Sequence, residues 1–505
     1  MLRFIDSQPL VLTPLTPIHI GCGEDFEPTN YVIEDGVLYQ FDPAQVHMTE
    51  VDRKQLLQAV SRRGDDAIRA VQSFFYGKRA ECKKVSRRKV PVAAGVAEWY
   101  ASRVGRVSQR EGGGRTVSNQ LEIERTAHHP HTGRPYIPGS SLKGSIRTAW
   151  LNHLDPSGVI EREPDHAPSE RSDEIEAELL GGRFATDPFR LVKLTDASGS
   201  DVGTRIVFSV DRDKEQRLDR NGRRTEKNLF VRREVIIGGQ YRALSGEIRF
   251  DLLPGINDRE TIPARNRRVG GFETLARACN RFYTARLGAD LSLIRRRFAD
   301  DPWVDRFERL VQALTDDLEA GRSMLLRVGR HSGAESVTLE KRRGIRIKGR
   351  GGRHHWARDA TTIWLAAERE DSRAELLPFG WLLLERADSP ENAELRRWCE
   401  REAQRYLSTS TPVPAESVPD ALVPSSRSVS DETVWERARL KFNARNGTLT
   451  AVGPNNAEAN ALAPRGAELL ASLPPDVQRR VKANEFVRVT AKVRGAELIA
   501  VEAKA

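Results

Sequence analysis

The chain has 505 residues, 39% hydrophobic and 30% charged, more than one core organises, which predicts two or three domains. A net charge of +10 with abundant carboxylates predicts local basic patches, and nucleic acid is the leading polyanionic partner. No apolar run is long enough to span a bilayer and Met1–Asp6 holds no signal-peptide core, so a cytoplasmic location without membrane contact is expected. Cys22, Cys82, Cys279 and Cys399 form no C-x-x-C pair, which argues against a disulfide framework and a cysteine-built zinc site. The histidines of His128-His129-Pro130-His131 and His354-His355 have no carboxylate or cysteine at a metal-ligand spacing and read as solvated loops. No metal or cofactor is expected.

In chain order, Leu10–Ile20 reads as a buried strand interrupted by Pro14 and Pro17, hence an edge or a kink. It runs into the turn Gly21-Cys22-Gly23. Tyr31–Ile33 and Val37–Tyr39 flank Glu34-Asp35-Gly36, a hairpin with Asp-Gly at its tip. Helical patterning follows over about 52–75. From Tyr76 to Arg115 lysines and arginines dominate, ending in Gly112–Gly114, and predict a partly disordered, electropositive insertion. Tyr136–Trp150 reads as a strand end, a glycine turn and a helix.

Strands are predicted near Phe189–Leu194, Arg205–Val210, Glu234–Ile237 and Glu247–Leu253, and a helix over Gly271–Leu287. Met324–Thr338 is a strand entering a glycine loop; Thr361–Ala366 and Gly380–Glu385 are further strands. The irregular alternation predicts an α+β fold. Thr411–Asp431, with Pro412, Pro414, Pro419 and Pro424 among small residues, reads as a linker. Beyond it, Ala438–Phe442 and Thr448–Ala451 flank the turn Asn446-Gly447. A short helical stretch opens near Pro464, and strands at Val487–Val493 and Glu497–Val501 complete a small β-rich appendage.

The most specific chemistry lies in Ile137-Pro-Gly-Ser-Ser-Leu-Lys-Gly-Ser-Ile-Arg147. Leu142, Ile146, Ala149, Trp150 and Leu154 share a helical face that anchors the helix on a sheet. Pro138-Gly139 makes the turn, Ser140 or Ser141 can cap backbone N–H groups, and the helix N-terminus offers an anion site. Lys143 and Arg147 lie four apart on an exposed face beside the apolar stripe, and Gly144 lets a backbone approach. The lysine precedes Gly144, so this is no Walker A loop, and ATP hydrolysis is not expected. A capped structural helix with two solvated charges explains the same residues equally well.

Pro138–Arg147 resembles the helix-opening motif of the RAMP superfamily of CRISPR systems. Leu15-Thr-Pro-Ile-His-Ile-Gly-Cys-Gly-Glu24 with Tyr31–Tyr39 resembles the start of one branch, the fifth Csm subunit of type III-A complexes. Arg327-Val-Gly-Arg-His-Ser-Gly-Ala-Glu-Ser-Val-Thr338 and Leu377-Pro-Phe-Gly-Trp381 are similar to later motifs of that branch, in the same order. The resemblance implies two ferredoxin-like (RRM-like) modules, placed at 1–255 and 256–410; the composition places the proline-rich linker at 411–434 and the appendage at 435–505 after them. The resemblance also implies binding at the crRNA 3′ end, contact with the backbone-forming Csm subunit, crRNA trimming by recruited maturation nucleases, and no nuclease activity of the chain itself.

The residues it assigns to RNA are His19, Gly21, Gly23, Gly139, Ser140, Ser141, Lys143, Gly144, Arg147, Arg327, Gly329, Arg330, Ser332 and Gly333. Two rivals stand beside this reading. One is a metal-independent repeat endoribonuclease with His19 as general acid or base, although a hydrogen-bonded structural histidine fits that apolar strand better. The other is the equivalent subunit of a type III-B complex. Asp42, Asp187 and Asp196 read as caps and turn formers rather than catalytic carboxylates.

Overall fold

The computed structural model describes residues 4–62, 64–110, 116–118, 121–155, 172–182, 184–218, 221–222, 224–225, 229–253, 263, 268–298, 301–348, 354–407, 433–443, 448–453, 458–461, 465–483, 485, 487–494 and 497–503. The chain divides into two compact units, Met1–Val413 and Pro414–Ala505. The linker expected at Thr411–Asp431 lies outside the described residues.

The first unit is α+β and is built on two sheets. The larger runs in the order Ser323–Arg327, Trp381–Arg386, Ile5–Pro14, Leu244–Asp251, Ala197–Ser198 and Tyr136–Ile137, with Val192–Leu194 also paired to Leu244–Asp251. The smaller runs Gly21–Phe26, Ile123–Thr126, Leu229–Ile236, Thr204–Asp213, Thr362–Ala367 and Leu377–Pro378. Each sheet takes strands from both sides of residue 255. The opening strand is central, not an edge: Leu12 pairs with Leu244 on one side and Leu384 on the other. Proline acts instead by ending the ladder. The strand stops at Pro14, and the chain crosses to the second sheet, where Ile18 bridges Ile236.

The helix Phe272–Arg297 extends ten residues past its predicted end because Leu291, Leu293 and Ile294 continue its buried face. Its Asn280 is buried and fully used. The amide donates to Leu318 O and Ser323 O, and its oxygen accepts from Leu325 N, locking the helix to the strand Ser323–Arg327. The tip of the predicted N-terminal hairpin is as its sequence requires, with Asp35 and Gly36 both left-handed at φ 52° and 73°.

The basic insertion is ordered over much of its length. It holds the helix Arg79–Lys84, the strand Ser86–Pro91 and the helix Ala94–Arg103. The cause is its apolar content: Val90, Val96 and Tyr100 are buried in the main core, and Cys82 joins a satellite core with Val32, Phe41 and Phe75. Its glycine end, 111–115, lies outside the described residues.

The second unit is a closed five-stranded barrel in the order Thr433–Asn443, Thr448–Val452, Glu458–Ala461, Glu497–Ala503 and Arg488–Arg494. Two helices, Arg465–Ala471 and Pro475–Lys482, lie between its third and fourth strands in sequence. Leu440, Leu449, Leu470, Val481, Val489 and Leu498 form its own core. Among the described residues, no helix is long and apolar enough to cross a membrane, and no group of three His, Cys, Asp or Glu could hold a metal.

Candidate nucleic-acid interface

The glycine helix spans Gly139–Leu154 with Leu142, Ile146, Ala149 and Trp150 buried, as their spacing predicts. Its N-terminus meets the segment 187–196 at backbone distance. A Cβ on Gly139 would lie 2.3 Å from Leu194 O, so only glycine fits. Gly139 N donates to Asp196 Oδ1 at 2.8 Å, and a carboxylate of the chain therefore already occupies the anion site expected there.

Lys143 and Arg147 require a correction. Both are half-buried rather than exposed. Lys143 Nζ donates to Phe189 O and Val192 O at 2.7 and 2.8 Å. Burial pushes its pKa below the usual lysine value, with the nearby Lys193 cation adding to the effect. Arg147 reaches Glu176 at 2.6 Å and Asp187 at 2.7 Å. Asp187 in turn caps the one-turn helix Pro188–Leu191 by accepting from Phe189 N. Both cations clamp this helix to its neighbour. What the helix leaves open is Ser140 and Gly144, where an added Cβ at Gly144 would meet nothing within 4 Å. Ser141 sits behind them, half-buried.

The second glycine segment packs on the first turn of the chain. Arg330 N donates to His19 O at 2.8 Å, and a Cβ on Gly329 (φ 82°) would come within 2.4 Å of that same oxygen. Val328 N donates to Gly380 O, and Gly380 N to Pro17 O. Three motifs far apart in sequence thus meet through their backbones. Arg327 faces inward at 4% exposure, with Nε on Phe379 O, Nη1 at 2.9 Å from Asp290 and its guanidinium over Trp381. It is a core ion pair, which corrects its placement on the RNA surface. Ser332 is buried and bonds Gly329 O, while Gly333 is exposed at φ 77°.

His19 is fully buried. Its Nδ1 bonds Glu234 O at 2.8 Å, and its Nε2 faces Glu124 at 3.6 Å, an electrostatic contact longer than a hydrogen bond. Glu124 also takes a bidentate contact from Arg233 at 2.7 and 2.8 Å and one from Arg330 at 2.9 Å. His19 and then Arg233 hold its carboxyl well below the usual range. His331, at φ 70°, stacks on Trp364 with ring centroids 4.3 Å apart. Burial, with Arg233 and His19 nearby, pushes its imidazole down to about 3, so it is neutral at physiological pH. Behind this cluster, buried Glu234 binds Arg88 and accepts from Thr204 Oγ1. Gly21 and Gly23 lie exposed at the rim, beside Glu24, which pairs with Arg125.

The RAMP superfamily model matches residues 11–329. The chain belongs to the RAMP superfamily. Among solved structures, T. onnurineus Csm5 matches with 18% identity and a TM-score of 0.43, over 74% of this chain and 99% of that one. A chain of the cryo-EM Csm–crRNA–target RNA ternary complex of a type III-A CRISPR-Cas system matches with 17% identity and a TM-score of 0.43, over 75% and 100%. Comparison with curated proteins finds no match.

Within this RAMP body, sequence reasoning missed two sets of residues. Glu124, Arg233, Glu234 and Arg88 form the ion network under the glycine segments, and no local spacing could reveal it. The other set carried a readable signal. Ile345-Arg346-Ile347-Lys348 alternates with period two and pairs with His354–Ala357, Arg346 opposite Trp356 and Lys348 opposite His354. One face of this hairpin therefore carries Arg346, Lys348, His354 and Trp356, all exposed except the half-buried tryptophan. Cations interleaved with an aromatic ring suit phosphates and a stacked base.

Proposed function

We propose that this chain is a non-catalytic RNA-binding subunit of a type III-A CRISPR interference complex, holding the crRNA 3′ end beside a backbone-forming Csm subunit. The observation that carries the reading is the RAMP match over residues 11–329. On this reading 1–255 and 256–410 correspond to two ferredoxin-like modules that share strands in both sheets, and crRNA trimming belongs to recruited nucleases. RNA would follow the groups the fold leaves open: Gly21 and Gly23, Ser140 and Gly144, Arg330 and Gly333, and the Arg346–Trp356 hairpin face. Arg330 is 57% exposed, so an arriving phosphate can take the place of Glu124 at little cost in desolvation. Such contacts are independent of sequence, which suits a protein that accepts any spacer.

The repeat-cleaving alternative needs a general base within reach of the scissile ribose. His19 has its imidazole closed off, and His331 lies stacked on Trp364 and tilted against Phe379. The test incubates purified full chain with repeat RNA and target RNA, with and without divalent metal, and in parallel reconstitutes it with Csm partners and crRNA. Expected are intact RNA and crRNA that copurifies. Cleavage lost in His19→Ala would overturn the non-catalytic reading, and assemblies whose crRNA content ignores this chain would overturn the binding one.

A further inference from the structure

One cleft of the RAMP body takes no part in the RNA path proposed above. It opens between the helices Pro302–Ala313 and Ala393–Leu407, with a cavity of about 240 Å³. The first helix lines it with Arg306, Arg309, Leu310 and Ala313, and the second with Glu394, Trp398 and Arg401, each set at the three- and four-residue spacings of a single helical face. The floor is apolar and closed. Leu310 and Trp398 are buried, and the Trp398 ring meets Phe307 edge-on with centroids 5.5 Å apart.

The rim is basic, and its cations are uncommitted. Arg401 is exposed and, among the described residues, has no hydrogen-bond or ion-pair partner. Arg309, also exposed, uses only its Nε, which donates to Asp305 O at 3.2 Å, and keeps both terminal nitrogens open. Arg306 lies 3.8 Å from the buried Glu402, a contact longer than a hydrogen bond. The nearby carboxylates are answered elsewhere: Asp305 and Glu308 by Arg295, and Glu394, the acid of the lining, by Arg397. Guanidiniums gathered around one cleft without carboxylates of their own repel one another, and a bound anion relieves that cost.

Size and lining choose the anion. At about 240 Å³ the cleft falls short of the roughly 300–1,000 Å³ of a small-molecule site, so it takes individual side chains of a longer chain. With Trp398 buried, no ring face is open to stack a base, and Glu394 in the wall opposes a run of phosphates. Carboxylates set beside an apolar side chain match both the arginine rim and the floor of Leu310 and Trp398. We propose that this cleft docks an acidic–apolar segment of a partner protein, its carboxylates paired with Arg309 and Arg401 and its apolar side chain seated on Leu310 and Trp398. That the partner is a Csm subunit rests on the function proposed above; the cleft itself requires only the chemistry of the segment.

The experiment reconstitutes the full chain with its Csm partners and crRNA and titrates its incorporation. The native chain is compared with Arg309→Glu/Arg401→Glu and with the milder Arg309→Gln/Arg401→Gln. Both residues are exposed, so urea midpoints should match the native one. Ala313, on the cleft wall, is replaced in a fourth protein by a diazirine amino acid, and irradiation maps what lies in the cleft. Expected are a concentration for half-incorporation raised about tenfold or more by charge reversal and by less with the glutamines, unchanged RNA affinity of the chain alone, and crosslinks to an acidic–apolar segment of a partner subunit. Equal incorporation of the native chain and both variants, or no partner peptide among the crosslinks, would overturn the docking site and leave the type III-A reading standing. Crosslinks to crRNA from position 313, with RNA affinity lowered in both variants, would also overturn it and put the cleft on the RNA path. A native chain that does not assemble with these partners would sink the type III-A reading and the docking site with it.

Discussion

The RAMP body and the C-terminal barrel place positive charge at different depths. In the body, the cations of the most recognisable motifs turn inward: Lys143 onto two carbonyls, Arg147 onto two carboxylates, Arg327 onto Asp290. In the barrel, Arg439, Lys441, Arg488 and Lys492 stand on the outward positions of strands whose alternate residues fill the core. A basic residue beside a helical apolar stripe can reach back along its own stem to a neighbouring backbone. One on a strand points where its place in the pleat sends it, inward for Arg327 and outward for Arg439. The face of its element that a cation occupies therefore decides whether it packs into the fold or stands at the surface.

The sharpest way to break this contrast is to attack the network under the glycine segments. Glu234 is fully buried between Arg88, Thr204 and the Thr126 amide. Glu234→Ala strands the Arg88 guanidinium and should cost about 3 kcal/mol, the low end for a broken buried pair because Arg88 keeps some solvent. Urea unfolding checks this. A change under about 1 kcal/mol would show that the network is not a structural keystone.

Lys143 comes next. Lys143→Met keeps the stem but leaves Phe189 O and Val192 O without their donor, at a cost of about 1–3 kcal/mol. RNA affinity at fixed salt and the salt slope should stay as in the native chain. A slope shallower by about 0.7 with unchanged stability would return Lys143 to the RNA surface.

A pH titration of stability probes the same network. The His331 imidazole titrates near 6.5 when unfolded and near 3 when folded. Between those values the unfolded chain binds the extra proton, so stability is full above the upper one and declines as pH falls toward the lower. Glu124 adds a further loss, confined to pH below the ordinary carboxylate range, since its folded pKa is depressed. His331→Phe preserves the stack on Trp364 and should flatten the decline between about pH 6.5 and 4.5. Denaturation midpoints that fall in parallel for both proteins would assign the acid sensitivity elsewhere.

Much of this was legible in the sequence, for definite reasons. Periodicity located the glycine helix and most strands, and Asp35-Gly36 announced its turn. Resemblance located both glycine segments, which the fold brings together through His19 O. What escaped depended on partners distant in the chain. Arg147 is read as solvated until Glu176 and Asp187 are known to fold onto it, and a helix N-terminus is read as vacant until Asp196 fills it. The basic insertion is ordered over more of its length than its charges suggest, because an apolar pattern through Val90, Val96 and Tyr100 anchors it in the core.

The smallest expected change in stability accompanies the most informative change in binding. Arg346 and Lys348 are exposed on a two-stranded hairpin and share a face with Trp356. Replacing both by alanine leaves the buried core intact, so stability should move by less than about 0.5 kcal/mol. With two fewer phosphates neutralised, the salt slope should become shallower by about 1.4. Trp356→Ala should act differently, lowering affinity by about 1–3 kcal/mol through the missing base stack while leaving the slope alone. Salt series on the three proteins separate the two contributions. If Arg346→Ala/Lys348→Ala binds with the native slope, the hairpin is not on the RNA path, and the proposed path narrows to Arg330 and the glycines on the rim. If Trp356→Ala changes the slope instead, the ring's role is to position Arg346 across the strand pair, and the face reads charge alone.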